Sequence, residues 1–257
     1  MKTNFQTLEI FNNGPLVILK LNRPEKRNAL NPLMIAELQE AFAELALNSE
    51  VVILNIVGKG QSFCAGADLN WIQSMSLLSE EKISDEFSEL GKMLSMLYHL
   101  PQITIAMVHG TVYGGGIGLF SACDYVMSAP GTTFSFSEIK LGLVPATIAP
   151  YAIQRIGPSK AKKLFLTGER FDENYAASIS LVDEVVKADT QALNYQTLTE
   201  LLLTQPRPAI RSIKNLFRMV EQGTISSEKF SEASKLIASL IKSKESQNLL
   251  SRFFGKD

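Results

Sequence analysis

Two apolar runs that read as strands, Val51 to Val57 and Ile103 to Val108, each deliver the chain into a glycine-bearing segment. This repeated arrangement constrains the fold more than any other feature. The segments are FCAGADL (63–69) and HGTVYGGGIGL (109–119), and 48 residues separate Ala67 in the first from Gly115 in the second. VVILNIV reads as a buried strand, after which Gly58 to Gln61 turns the chain and Gly66 permits a tight approach of backbone to ligand. In the second segment Gly114, Gly115 and Gly116 leave the backbone bare where an apolar helical run, Ile117 to Cys123, begins. Peptide N–H groups and the positive helix end then face whatever sits there. A carbonyl oxygen gathering negative charge suits that place, which makes the pair a candidate two-amide oxyanion hole.

Each segment alone has a plainer reading, because glycine triplets commonly serve turns or close helix packing. A nucleotide loop is the sharper rival. GGGIGL lacks the Gly-x-Gly-x-x-Gly spacing, no Gly-Lys-Ser/Thr follows it, and the GKG at 58–60 is also out of the phosphate-loop frame. These departures argue against dinucleotide binding.

The chain of 257 residues, 46% hydrophobic and 20% charged, has material for a substantial core. Its apolar stretches are short and interrupted, well below the roughly 20 residues that cross a bilayer. The N-terminal MKTNFQTLEI lacks a signal-peptide apolar region, so no membrane association and a cytoplasmic location are the expectations. Two cysteines, Cys64 and Cys123, and two histidines, His99 and His109, give no metal spacing, and no metal is expected. A net charge of -1 argues against nucleic acid as a partner of the whole chain. Residues 201–257 nevertheless hold ten Lys/Arg against five Asp/Glu, which reads first as solvated helix faces.

β-like runs (16–21, 51–57, 103–108, 125–128, 133–136) alternate with helical patterns through about residue 190, an α/β organisation. The first helix is well marked: Asn31 caps it, Pro32 suits its first turn, and Leu33, Leu38, Phe42 and Leu45 form its apolar stripe, with an end near Asn48. Residues 73–98 read as a peripheral Met-rich stretch followed by a helix carrying Phe87, Leu90, Leu94 and Leu97. After Pro206 and Pro208 only helical signals remain, so the expected organisation is a core at 1–195 and a C-terminal helical assembly region at 196–257.

FSFSEIKLGLVP (134–145) places Glu138 after an alternating strand and before a Gly/Pro-containing loop. A carboxylate partly removed from water there has a raised pKa and exchanges protons near neutrality, as chemistry beside a carbonyl requires. A solvent-facing structural glutamate is the competing reading.

Taken together and in order, LNRPEKRNALN (21–31), FCAGADL, HGTVYGGGIGL continuing to SACDY, FSFSEIKLGLVP and LTGERFD (166–172) resemble the crotonase family, the enoyl-CoA hydratase/isomerase superfamily. The likeness covers nearly the whole chain. It implies a crotonase-like spiral of ββα units with a C-terminal helical region, assembly as a homotrimer or homohexamer, and an acyl-CoA thioester as substrate. Coenzyme A then belongs to the substrate and no separate cofactor is implied. The resemblance assigns the oxyanion hole to the N–H groups of Ala67 and Gly115 and the acid–base role to Glu138. Ala65, Asp68, Leu69 and Asn70 match the lining of the family's CoA pocket. Lys26 and Arg27 match the region of the CoA phosphates or adenine, or are surface charges. Trp71 and Met75 count among the pocket residues, and Lys256 is in reach of a neighbour's CoA in an oligomer.

One departure matters. Two-acid enoyl-CoA hydratases carry a glutamate where this chain has Gly118, 20 residues before Glu138. One acid suffices to move a proton between carbons, as in enoyl-CoA isomerases shifting a 3-ene to a 2-ene. GLVPATIAPYAIQRIG (142–157) and FCAGADLNW resemble bacterial hydratases of the methylglutaconyl-CoA type, and on that likeness hydration of a 2-enoyl-CoA is the first reading and isomerisation the second. A non-catalytic acyl-CoA or RNA-binding protein is the third. Asp68, Asp124, Tyr113 and His109 read as structural, His109 because no nucleophile and carboxylate accompany it in a triad pattern.

Overall fold

The computed structural model describes residues 4–187, 191–221 and 227–255. They form two compact units, Met1–Thr199 and Glu200–Asp257. In the first, β1 (Leu8–Asn13) and β2 (Leu16–Leu21) make an antiparallel hairpin. In β2, Val17, Leu19 and Leu21 are fully buried while the residues between them are half-buried, the period of two that a half-covered strand requires. Then α1 (Pro32–Leu47) crosses to β3 (Ile53–Gly58), which runs parallel to β2. Two helices follow, α2 (Leu69–Met75) and α3 (Glu80–Tyr98), and then β4 (Ile103–Val108) joins β3 in parallel.

A short strand β5 (Thr111–Tyr113) leads into α4 (Gly115–Ser121), after which β6 (Tyr125–Ser128) extends the main sheet and β7 (Thr133–Ser135) pairs with β5. Beyond them lie α5 (Ala149–Ile156), α6 (Pro158–Thr167), β8 (Phe171–Asp172), α7 (Glu173–Ser178), β9 (Glu184–Val185) and α8 (Gln191–Leu203). The result is a six-stranded sheet ordered β1-β2-β3-β4-β6-β9 and a three-stranded sheet ordered β5-β7-β8. The second unit holds α9 (Arg207–Glu221), α10 (Ser227–Lys242) and α11 (Lys244–Phe253), with α10 packed on both others. No helix among the described residues is long and apolar enough to cross a membrane.

Asn31 caps α1 as expected, its side chain accepting from Met34 N at 2.9 Å. The buried stripe differs from the sequence reading. Met34, Leu38, Phe42 and Leu45 face the core, whereas Leu33 is 39% exposed. Their spacing of four, four and three residues keeps a helix face aligned, and Leu33 lies a hundred degrees away from Met34 on the helix wheel. After α2 ends at Met75, residues 76–79 are non-helical and exposed, a peripheral stretch as expected, and α3 begins at a serine cap, Ser79. Near the N-terminus the buried Glu37 carboxylate accepts from Gln6 N and Thr7 N, both at 2.8 Å, tying the chain ahead of β1 to α1.

The small sheet positions the chemistry. Phe134 on β7 lies in the core between Phe120 and Phe171, with ring centroids 5.8 and 5.6 Å away. Phe136 packs on Phe165 at 4.7 Å. Between these aromatic anchors and the left-handed Gly142, whose N–H bonds Ile139 O at 3.0 Å, the chain makes one 3-10 turn, Ser137–Leu141. Glu138 rides on that turn.

Candidate active site

The two glycine-bearing segments lie side by side because main-chain hydrogen bonds stitch them. Phe63 N donates to His109 O at 2.9 Å and Tyr113 N to Cys64 O at 3.2 Å. On its other edge the first segment pairs with Leu30, whose N–H donates to Gly66 O at 2.7 Å and whose carbonyl accepts from Asp68 N at 2.8 Å. In such a bridge the residue between the two bonds turns its own N–H to the opposite side, so Ala67 N–H points away from Leu30.

Gly115 is the first residue of α4, and its N–H has no partner inside the helix. A Cβ built on Gly115 would lie 3.9 Å from Ala67 N, and one on Gly66 would lie 3.8 Å from Gly115 N. The two amides therefore share one small space. Neither donates to an acceptor among the described residues.

Glu138 reaches this space from the small sheet. Gly114 has φ 45° and ψ -116°, and a Cβ there would stand 2.8 Å from Glu138 Oε1. Only glycine both adopts that conformation and lets the carboxylate in. Burial pushes the Glu138 pKa up, with a hydrogen bond from its own backbone pulling the other way. Its Oε2 is buried without a hydrogen-bond partner among the described residues. A native protein seldom leaves such an acceptor unmet, and the cost is about 1–3 kcal/mol.

A cleft of about 570 Å³ opens on these groups. Ala65, Ala67, Leu69, Gly115 and Glu138 all line it, so five of the residues chosen from the sequence converge. Exposed apolar side chains at its edge, Leu69, Leu141 and Val144, suit a ligand with a hydrocarbon part. Asp68, Asn70 and Lys26 do not line it. Asp68 caps α2 by accepting from Asn70 N at 3.0 Å and pairs with Arg23 Nη2 at 2.9 Å. Burial raises its pKa, but the Arg23 and Asn70 bonds and the charges of Arg23 and Lys26 outweigh that and hold it low. Arg27 joins the site through its carbonyl, which accepts from Ala65 N at 3.0 Å. Lys256 lies outside the described residues.

Gly118 sits one turn beyond Gly115, and Ile148 occupies its front. A Cβ at 118 would be 2.2 Å from Ile148 Cγ2 and 2.7 Å from Ile148 Cβ. Ile148 also lines the cleft. Tyr113, read as structural, borders the cleft, and its ring lies 5.7 Å from the Arg170 guanidinium. Trp71 and Met75, expected in the pocket, need correction: both are core residues, Trp71 donating to Glu86 at 3.1 Å with its ring tilted against Phe87, and neither lines the cleft. Phe87 and Leu90 from α3 line it instead; the sequence reading put them on the helix's apolar stripe, where core and cleft residues share one helical period. His109 bonds Gly60 O at 3.0 Å, and Asp124 accepts from Thr104 N at 2.7 Å, both structural placements. Burial pushes the Cys64 thiol up to about 12, which removes it as a nucleophile near neutrality.

An α/β fold that brings main-chain donors and a desolvated carboxylate to one apolar cleft defines a class of enzyme equipped for chemistry beside a carbonyl. The chain belongs to the enoyl-CoA hydratase/isomerase family, whose model matches residues 12–257. It is 31% identical over 202 residues to the crotonyl-CoA hydratase of Syntrophomonas wolfei, covering 77% of this chain and 76% of that one. To the hydroxycinnamoyl-CoA hydratase-lyase of Pseudomonas fluorescens it is 30% identical over 226 residues, 86% and 81% of the two chains. The crystal structure of an enoyl-CoA hydratase from Shewanella pealeana superposes with a TM-score of 0.93 at 31% identity, covering 98% of this chain and 94% of that one. The chain is thus an enzyme of the lyase/isomerase class with the crotonase fold.

Proposed function

We propose that the chain is an enoyl-CoA hydratase that adds water to a 2-enoyl-CoA thioester, with branched, 3-methylglutaconyl-CoA-like acyl groups among its substrates. One observation carries the reading: the desolvated Glu138 carboxylate and two free N–H groups meet on one apolar cleft. The thioester oxygen accepts from Ala67 N–H and Gly115 N–H. Glu138 takes a proton from water as the water oxygen bonds to Cβ, and the Cα=Cβ electron pair moves into the thioester as an enolate. Return of a proton to Cα gives the 3-hydroxyacyl-CoA. Both amides act where charge develops, and a raised carboxylate pKa lets one group take and return the proton near neutrality.

Ala65 and Leu69 would flank the pantetheine, with Asp68 and Asn70 holding α2 in place. Lys26 would meet the CoA phosphates at the surface. The chemistry asks for no cofactor beyond the CoA of the substrate. The helices of 196–257 would build a homotrimer or homohexamer, which light scattering on the purified chain checks.

The second reading, movement of a double bond from position 3 to position 2, is favoured by Ile148 filling the space where a second acid would stand. The deciding experiment supplies 2-enoyl-, 3-enoyl- and 3-methylglutaconyl-CoA in heavy-oxygen water and follows products by mass spectrometry. Label in the product is the expected result. A migrated double bond without label establishes isomerisation instead, and no conversion of any thioester removes both readings.

A further inference from the structure

We infer that Ile148, locked against Gly118, restrains water addition in this site and so sets how readily the enolate chemistry ends in hydration. The inference rests on the enolate reading above and goes beyond it by naming a residue that governs the outcome.

The argument starts from α4. Its first turn presents the Gly115 N–H to the cleft, and a side chain one turn later at 118 would head for the volume that Ile148 holds. Ile148 is 2% exposed, and its neighbours fix it. It stands at the start of α5, where Ala149 N donates to Pro145 O at 2.9 Å and Ala152 N to Ile148 O at 3.2 Å. Thr147 beside it packs toward α3, its Cγ2 3.4 Å from where a Cβ on Gly91 would be. These contacts anchor the backbone at 148 and with it the Cβ that faces Gly118.

Hydrocarbon there has two effects. A water beside it finds no acceptor or donor on that wall, and an ordered water needs two to four polar partners. The wall also excludes a second carboxylate by packing, so proton traffic falls to Glu138. Tyr113, Ser137, Lys140 and Thr147 contribute to the lining, but none is a carboxylate. Gly118 and Ile148 are therefore a matched pair. Even alanine at 148 would keep the Cβ that stands 2.7 Å from a side chain at 118, so a glutamate at 118 requires glycine at 148.

The test uses the purified full-length chain and two rates. The first is heavy-oxygen incorporation from water into crotonyl-CoA; the second is deuterium exchange at Cα of butyryl-CoA, which reports enolate formation alone. Their ratio is compared between the native chain, Ile148→Ala and Gly118→Glu/Ile148→Gly. We expect the ratio to rise severalfold in Ile148→Ala and about 10²-fold in the double variant, the low end of what a positioned acid–base group contributes. An unchanged or lowered ratio in Ile148→Ala, with exchange still measurable, overturns the inference while leaving the enolate reading intact. Absence of exchange in the native chain overturns that underlying reading. If the double variant does not fold, Ile148→Ala alone decides.

Discussion

The first and second turns of α4 both depend on a missing side chain, and for opposite reasons. At Gly114, just ahead of the helix, the bare Cα admits a carboxylate, Glu138 Oε1. At Gly118, within the helix, it admits hydrocarbon, the Cγ2 of Ile148. One seven-residue helix thus borders a charged wall and a greasy one. Glycine in a motif says that something comes close; it does not say what. The chemistry of the cleft follows from the visitor at each position, and the two visitors are 24 and 30 residues further along the chain.

Removing the visitor at the first turn has the largest effect. Glu138→Gln keeps the shape and deletes the proton carrier, so turnover on crotonyl-CoA falls about 10²- to 10⁴-fold in steady-state assays. Native turnover in this variant would leave Gly114 with no catalytic reason to be bare. Gly114→Ala comes next. Its Cβ displaces the carboxylate and strains the peptide leading to Gly115, and we expect a loss of about 10²-fold, comparable to removing one oxyanion donor. Turnover within a few-fold of native would show that the close approach is incidental.

Gly118→Ala tests the second turn. Overpacking against Ile148 costs about 1–3 kcal/mol, read by urea denaturation. Adding Ile148→Gly relieves the clash, so the two changes must be strongly non-additive in a double-mutant cycle. Simple additivity would mean that the helix shifts and the pairing is unimportant.

The smallest effect sharpens the contrast through pH. Because burial raises the Glu138 pKa, the folded chain keeps this proton to higher pH than the unfolded chain does. Native stability from this group is therefore fully present below the ordinary value of 4.5 and is lost as pH rises through the folded pKa. Glu138→Gln lacks that loss, so thermal unfolding above pH 4.5 should find it slightly more stable than the native chain, with the gap closing in acid. The acid limb of kcat/KM should also lie above pH 4.5. A gap that widens in acid would show that the carboxylate is stabilised as the anion, contrary to its desolvated placement.

Much of this was legible before any coordinates. The apolar runs marked β2, β3, β4, β6 and β7, though not β1 or the order of the strands; Asn31 announced its helix, and Ala67, Gly115 and Glu138 stood out because their local patterns require backbone exposure or partial burial. What stayed hidden depends on distance through space. Nothing in the residue types of Gly118 and Ile148 links them across 30 positions. Leu33 and Met34 are equally apolar, and only the roll of α1 on the sheet decides which is buried. Trp71 resembles a pocket residue, yet its indole N–H finds Glu86 and turns the ring into the core. Of the small sheet only β7 was foreseen, since β5 and β8, with three and two residues, carry too few side chains to show a period.

The amides of Ala67 and Gly115 are held by Leu30, Cys64 and Ser135 through main-chain groups alone. No single codon change can delete such a donor, short of introducing proline. The apolar side chains that line the rest of the cleft can change without touching them. A lineage built on this frame can exchange Ile148, Leu141 or Phe87 and alter what it accepts, while the pair of hydrogen-bond donors is inherited intact.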